Sequence, residues 1–168
     1  MDFELIQALN DALPDTSMRT YDASLINSIV NANPDIARAI LHDPEDGLFD
    51  TQECLGAVYS FILLDNRVDG GMLFEWSSPN IWQAHTVFGP TCRGKMAIAD
   101  AKDIIREMFV LWDAKQLWGQ TPVGNRQARM FNRMIGATSR GMADHWASGE
   151  VEYFTIDRDD WLRKNPFD

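Results

Sequence analysis

The chain has 168 residues, 45% apolar and 24% charged, a globular composition that excludes a disordered or fibrous protein. Its formal net charge of −10 argues against a general nucleic-acid binder, because neutralising phosphates requires basic patches. Cys54 and Cys92 are too few for a disulfide framework, and no apolar run reaches the ~20 residues that span a bilayer. With an acidic N-terminus (Met1-Asp2-Phe3-Glu4) unlike a secretion signal, the expectation is a reduced, cytoplasmic protein with no membrane partner.

Phe3, Ile6, Leu9 and Leu13 fall at helical spacing, and Pro14 ends that element. Asp22 is placed to cap a helix carrying Leu25, Ile26, Ile29 and Val30. Asn33-Pro34 has the form of an N-cap followed by a first-turn proline, opening a helix through Leu41. The acidic segment 42–52 reads as a loop or a mobile lid.

The period then changes. Residues 55–64 are rich in β-formers, and Asn66-Arg67-Val68-Asp69-Gly70-Gly71 is turn chemistry. Strands over 72–76 and 82–88, joined by Ser77-Ser78-Pro79-Asn80, complete an expected antiparallel meander. In the last of these, Trp82, Ala84, Thr86 and Phe88 share one face, and Gln83, His85 and Val87 the other.

After Gly89-Pro90-Thr91-Cys92-Arg93-Gly94-Lys95, the stripe Ile98, Ala101, Ile105, Met108 and Trp112 predicts an amphipathic helix from about 96 to 112. A basic, glycine-containing turn between a strand and a helix N-terminus is suited to hold a phosphate, through exposed N–H groups and the helix dipole. The chain's middle is locally basic, with Arg93, Lys95, Arg126, Arg129, Arg133 and Arg140. A strand near 117–121, a helix over 128–135, two strands (138–146 and 150–156) and a tail at 159–161 follow. The expectation is one α+β domain over 1–168, with N-terminal helices in 1–45 and a mostly antiparallel sheet in 54–160, its helices grouped after the first strands.

This order of elements, with Arg93-Gly94-Lys95, Asn125 three residues before Ala128, and Ile135-Gly136-Ala137, resembles the GNAT superfamily of acyl-CoA-dependent N-acyltransferases. The run His85-Thr86-Val87-Phe88…Arg93-Gly94-Lys95 and the phenylalanine-containing helix after Asn125 are most similar to GNAT-like proteins of tailed bacteriophages. The resemblance implies that the end of the 82–88 strand, at Val87 and Phe88, flanks the pantetheine arm of acetyl-CoA. It implies that Arg93, Gly94, Lys95, Met96 and Ala97 meet the pyrophosphate, that Asn125 lies near the thioester, and that Ala128, at the start of the same helix, is also a cofactor-binding residue. Catalysis by His85 or through Asn125 on an amine acceptor would follow. The chain departs from the family pattern at Met96 and Ile98, where small residues are usual, and at Asn132, where a tyrosine acid is usual.

Read from the residues alone, His85 is either a general base or a half-buried structural histidine, and Asn125 is a helix cap, a catalytic residue or both. His42, His85 and His145 have no metal-ligand spacing with cysteines or carboxylates, so no metal is expected. Two functions fit this reading. One is acetyl transfer from acetyl-CoA to an amine. The other is a GNAT-fold phage protein without chemistry, associated with the virion or its assembly, that holds a structural-protein partner.

Overall fold

A computed structural model describes residues 17–40, 48–52, 55, 60–146 and 148–166. The helix expected over 2–13, residues 41–47 of the acidic segment and Cys54 lie outside them.

Seven strands form one sheet. They are β1 (Ser17–Thr20), β2 (Ser60–Asp65), β3 (Gly70–Ser78), β4 (Ile81–Phe88), β5 (Gln116–Pro122), β6 (Thr138–His145) and β7 (Gly149–Asp157), in the spatial order β1-β2-β3-β4-β5-β7-β6. β2, β3 and β4 make the expected meander, with Phe61 opposite Phe74 and Phe74 opposite Ala84. β4 and β5 are parallel and every other neighbouring pair is antiparallel. The helices are α1 (Ser24–Ala32), α2 (Pro34–Ile40), α3 (Lys95–Val110), α4 (Arg126–Met134) and α5 (Arg158–Lys164).

The two faces of the sheet carry separate cores. Phe61, Leu63, Met72, Phe74, Phe88, Leu117 and Ile156 pack against Ala101, Ile104, Ile105 and Met108 of α3 and Trp161 of α5. Ile62, Leu64 and Val87 pack under Ile26, Ile29 and Val30 of α1. β2 is buried along its whole length because both cores claim it. Thus the alternation expected for β4 holds, with Trp82, Ala84 and Phe88 toward α3 and Val87 toward α1.

Three local expectations change. Asn33 does not cap α2 with its side chain; the amide donates back to the Ile29 carbonyl (2.6 Å), closing the C-terminus of α1 instead. Residues 48–52 are a loop but no lid. Asn31 exchanges two 2.8 Å bonds with the backbone of Phe49, and Asn27 donates to Asp50 at 2.7 Å, lacing the segment to α1. The tail at 159–161 is part of α5, whose Trp161 is buried and donates to the Ile135 carbonyl at 2.7 Å.

Candidate functional site

The parallel pair β4–β5 organises the site. Its register pairs run from Ile81–Gln116 to Gln83–Trp118 and stop there. Ala84 and Gly119 still approach closely: a Cβ added to Gly119 would stand 3.1 Å from the Ala84 carbonyl oxygen. Beyond that point the β5-facing edge of β4 has no strand partner among the described residues, and the pair opens as a V toward its C-terminal ends. Ligands of sheets with parallel strands bind at such carboxyl-end openings. The loop Gly89–Gly94 leaves one arm of the V, and Val123–Asn125 leaves the other.

α3 begins at the first arm. Its N-cap, Gly94, has φ +61°, offers no side-chain bond to the first turn, and no acidic side chain lies in that turn. The leading N–H groups of a helix have no intrahelical partners, so this terminus presents donors and the positive end of the dipole. Space is open there, since a Cβ at Gly94 would meet nothing within 4 Å. Arg93, Lys95 and Met96 are exposed around it and Ala97 is buried beneath. Met96 stands at the surface, 44% exposed, and Ile98 packs on the core below α3. The two departures from small residues therefore point away from each other.

At the second arm Asn125 is the N-cap of α4, its Oδ1 accepting from the Ala128 N–H at 3.1 Å. The capping role is thus real, and the Ala128 N–H is already used. α4 buries no residue of its own. It is held by Phe131 against Phe88 (centroids 6.2 Å apart) and by Asn132, which donates to Thr121 Oγ1 at 2.9 Å. Two arginines complete the attachment. Arg129 Nε and Arg133 Nη2 each reach Glu152 of β7 at 2.5 Å. Asn132 thus ties α4 to β5.

The opposite face of the same strands is polar. His85 Nε2 lies 3.1 Å from Glu75 Oε2, and the His85 bond holds the Glu75 carboxyl below its ordinary range against the opposing effect of burial. Both groups are partly exposed. By register, Gln83, Trp118 and Tyr153 share this face; the Trp118 and Tyr153 rings stack (6.3 Å, 24°), and Trp118 Nε1 donates to Ser77 Oγ at 2.8 Å. A carboxylate-oriented imidazole can accept a proton. Glu75 escapes a search of the 82–88 strand because it stands on the neighbouring one. The signal was available: pairing Trp76 with Trp82 across the hairpin puts positions 75 and 85 diagonally opposite on one face.

No protein-family model and no curated protein sequence matches the chain. Solved structures do. A spermidine N-acetyltransferase from Vibrio cholerae, in complex with CoA and spermine, superposes with TM-score 0.67 at 14% identity over 89% of this chain and 99% of that one. A GNAT-family acetyltransferase from Bacillus anthracis does so with TM-score 0.63 at 17% identity, over 86% and 96%. The ribosomal-protein-S5-alanine acetyltransferase from Vibrio fischeri gives TM-score 0.51 at 15% identity, over 61% and 62%. The chain has the GNAT fold, α+β with a mostly antiparallel twisted sheet and helices on both faces.

Proposed function

We propose that the protein is an acyl-CoA-dependent N-acyltransferase of GNAT type that moves an acetyl group from acetyl-CoA to an amine in the cytoplasm. The observation that carries this is the V between β4 and β5 opening beside an uncapped, acid-free N-terminus of α3. The free edge of β4 through Val87 and Phe88 suits an extended amide-bearing chain, which pairs as an added strand would. Arg93, Lys95 and the N–H groups of Lys95, Met96 and Ala97 suit a pyrophosphate. Acetyl-CoA bound there supplies an activated acyl group for transfer to nitrogen. His85, oriented by Glu75, takes the proton from the attacking amine. Asn125 fixes the start of α4 at the mouth of the V. That proteins of the same fold include a CoA and spermine complex supports both the donor and an amine acceptor. No helix among the described residues is long and apolar enough to cross a membrane, in keeping with the proposed location.

A second reading has its own observation. Phe131 bridges toward Phe88 across the V, and Met130, Met134, Met142 and Trp146 are exposed on α4, β6 and the turn after it. These favour a GNAT-fold protein without chemistry, of the kind phages encode, that holds a structural protein on this surface. Titration with acetyl-CoA separates the two. The enzyme reading expects saturable binding that stabilises the fold by ~2.7 kcal/mol at a hundredfold excess over Kd, and loss of that binding in Lys95→Glu with the fold intact. No stabilisation at millimolar acetyl-CoA refutes it and leaves the protein-holding reading.

A further inference from the structure

The sheet has two edges, β1 and β6, and they are unlike. β1 is only four residues long, and short edge strands are one way a sheet avoids pairing with a neighbour. β6 runs eight residues, Thr138–His145, and pairs with β7 alone, with no strand beyond it among the described residues. The outward N–H and C=O groups of such a strand are a template for another one. Lysine, proline, bulges or a covering segment blunt these edges in other proteins. β6 has neither lysine nor proline, and all of its residues but the last are exposed, so it is uncovered on both faces. One bulge, at Arg140, interrupts its start; from Gly141 to His145 its register with β7 is regular.

The residues along this edge complement themselves. Met142, 48% exposed, is flanked by Arg140 two positions before it and Asp144 two positions after it. Arg140 is held at its end of the strand by Asp157 (2.6 Å) and Thr155 (2.7 Å). Asp144 is exposed and makes no ion pair among the described residues. An antiparallel neighbour identical to β6 and centred on Met142 sets Met142 against Met142, and Asp144 against Arg140 at either end. A parallel neighbour in the same register would set like charges side by side, which is destabilising. Trp146, 94% exposed just past the strand, falls opposite Thr138 in the antiparallel arrangement. Tryptophan is enriched at interfaces, and this one has a place to go only when a second strand is present.

We propose that β6 pairs antiparallel with β6 of a second copy, about a two-fold axis at Met142, continuing the seven-stranded sheet into the second molecule. The contact is isologous and closes on itself, so the pair leaves no long edge free to recruit further chains. Met142 lies opposite Glu152, the carboxylate that Arg129 and Arg133 of α4 hold, so α4 of both copies lies on the same side of the joined sheet. Backbone bonds, one methionine pair and two tryptophans make a small interface, and the dimer is correspondingly reversible. β7 stands between this edge and the V, so the inference is independent of the acyl-transfer reading and is tested without acetyl-CoA.

Sedimentation velocity of the full chain, from about 1 μM to about 1 mM, should show monomer converting reversibly to dimer. Met142→Lys sets two ammonium groups against each other at the axis and should weaken dimerisation by at least about tenfold, while circular dichroism and Tm show the fold intact. Met142→Cys should form an inter-chain disulfide on mild oxidation, because directly opposed residues have Cα atoms ~4.5–5.5 Å apart, within disulfide reach. Ala143→Cys should not, for its two copies lie diagonally, ~7–8 Å apart. Wild type under the same oxidation gives the baseline. The inference is overturned if the wild-type chain stays monomeric to about 1 mM, which would leave the edge to a different protein. It is equally overturned if Met142→Lys dimerises as tightly as wild type, or if Ala143→Cys cross-links as fast as Met142→Cys.

Discussion

Glu152→Gln tests what holds α4 in place. Glu152 is 1% exposed and accepts from Arg129 Nε and Arg133 Nη2 at 2.5 Å and from Ser139 Oγ at 2.6 Å. The substitution keeps shape and volume, so no cavity confuses the result. It leaves two guanidinium groups without their carboxylate, a loss that costs about 3–5 kcal/mol when both partners are buried. Arg133 is about half exposed and rehydrates, which puts the expectation at the lower end, near 3 kcal/mol. For a chain of this length that is a fall of roughly 6–12 °C in Tm. The loss should be local first. α4 buries no residue, so its amides should exchange faster than those of α3, whose Ala101, Ile104, Ile105 and Met108 are fully buried.

The same carboxylate sets an acid limit. Burial opposes its ionisation, yet the bonds from Ser139 and Arg129 and the arginine charges outweigh burial and hold its pKa below the ordinary value. A carboxyl lowered in the folded state contributes its full stabilisation above the unfolded value, about 4.3, and loses it as pH falls through the lowered value. Denaturant titrations of wild type and Glu152→Gln should therefore differ at pH 7 and converge in strong acid. An unchanged Tm, with α4 exchanging no faster than in wild type, would refute the claim that this helix is tethered electrostatically.

Gly136→Ala should cost about 3 kcal/mol, because φ is +97° there and the new Cβ would stand 2.9 Å from the Trp161 ring; urea denaturation measures it, and a loss under 1 kcal/mol would contradict the packing described. Under the acyl-transfer reading, His85→Ala should lower kcat by about a hundredfold or more while acetyl-CoA affinity, read by calorimetry, stays unchanged. Glu75→Gln should lower kcat less, since the carboxylate only orients the imidazole, and equal losses in the two variants would count against that division of roles.

What was legible in the chain was local. The α3 stripe, the 82–88 alternation, the meander turns and the Asn125 cap each rest on neighbours within a few residues, and each is found where the periodicity or the capping residue puts it. β1 and α5 were not legible. Four residues reading Ser-Met-Arg-Thr carry no alternation, and α5 offers one buried anchor in seven positions. Other side-chain groupings draw on residues further apart still. Glu75 and His85 meet only through hairpin register, and Asp65, Cys92 and Asp100 only through the docking of α3 across the sheet.

The two arms of the V are secured by different forces. The β4 arm ends in Val87 and Phe88, each buried in one of the two apolar cores, and in a turn leading to α3 that the Asp69 carbonyl also holds through the Gly89 N–H at 2.8 Å. The β5 arm leads to α4, which is fixed by a cap, one ring contact, an Asn–Thr bond and the Glu152 pairs. An opening whose one wall is a packed core and whose other wall rests on polar bonds has a defined weak side. Elements with few buried apolar contacts open at lower free energy than the core, so the cleft should widen by displacement of α4. Phe131, which leaves Phe88 when α4 moves, is then the residue whose motion admits an extended ligand. Hydrogen exchange with and without saturating acetyl-CoA distinguishes this from a rigid cleft: protection should rise in 126–134 and hardly change in 101–109. Equal changes in both segments would show that the two walls respond as one body.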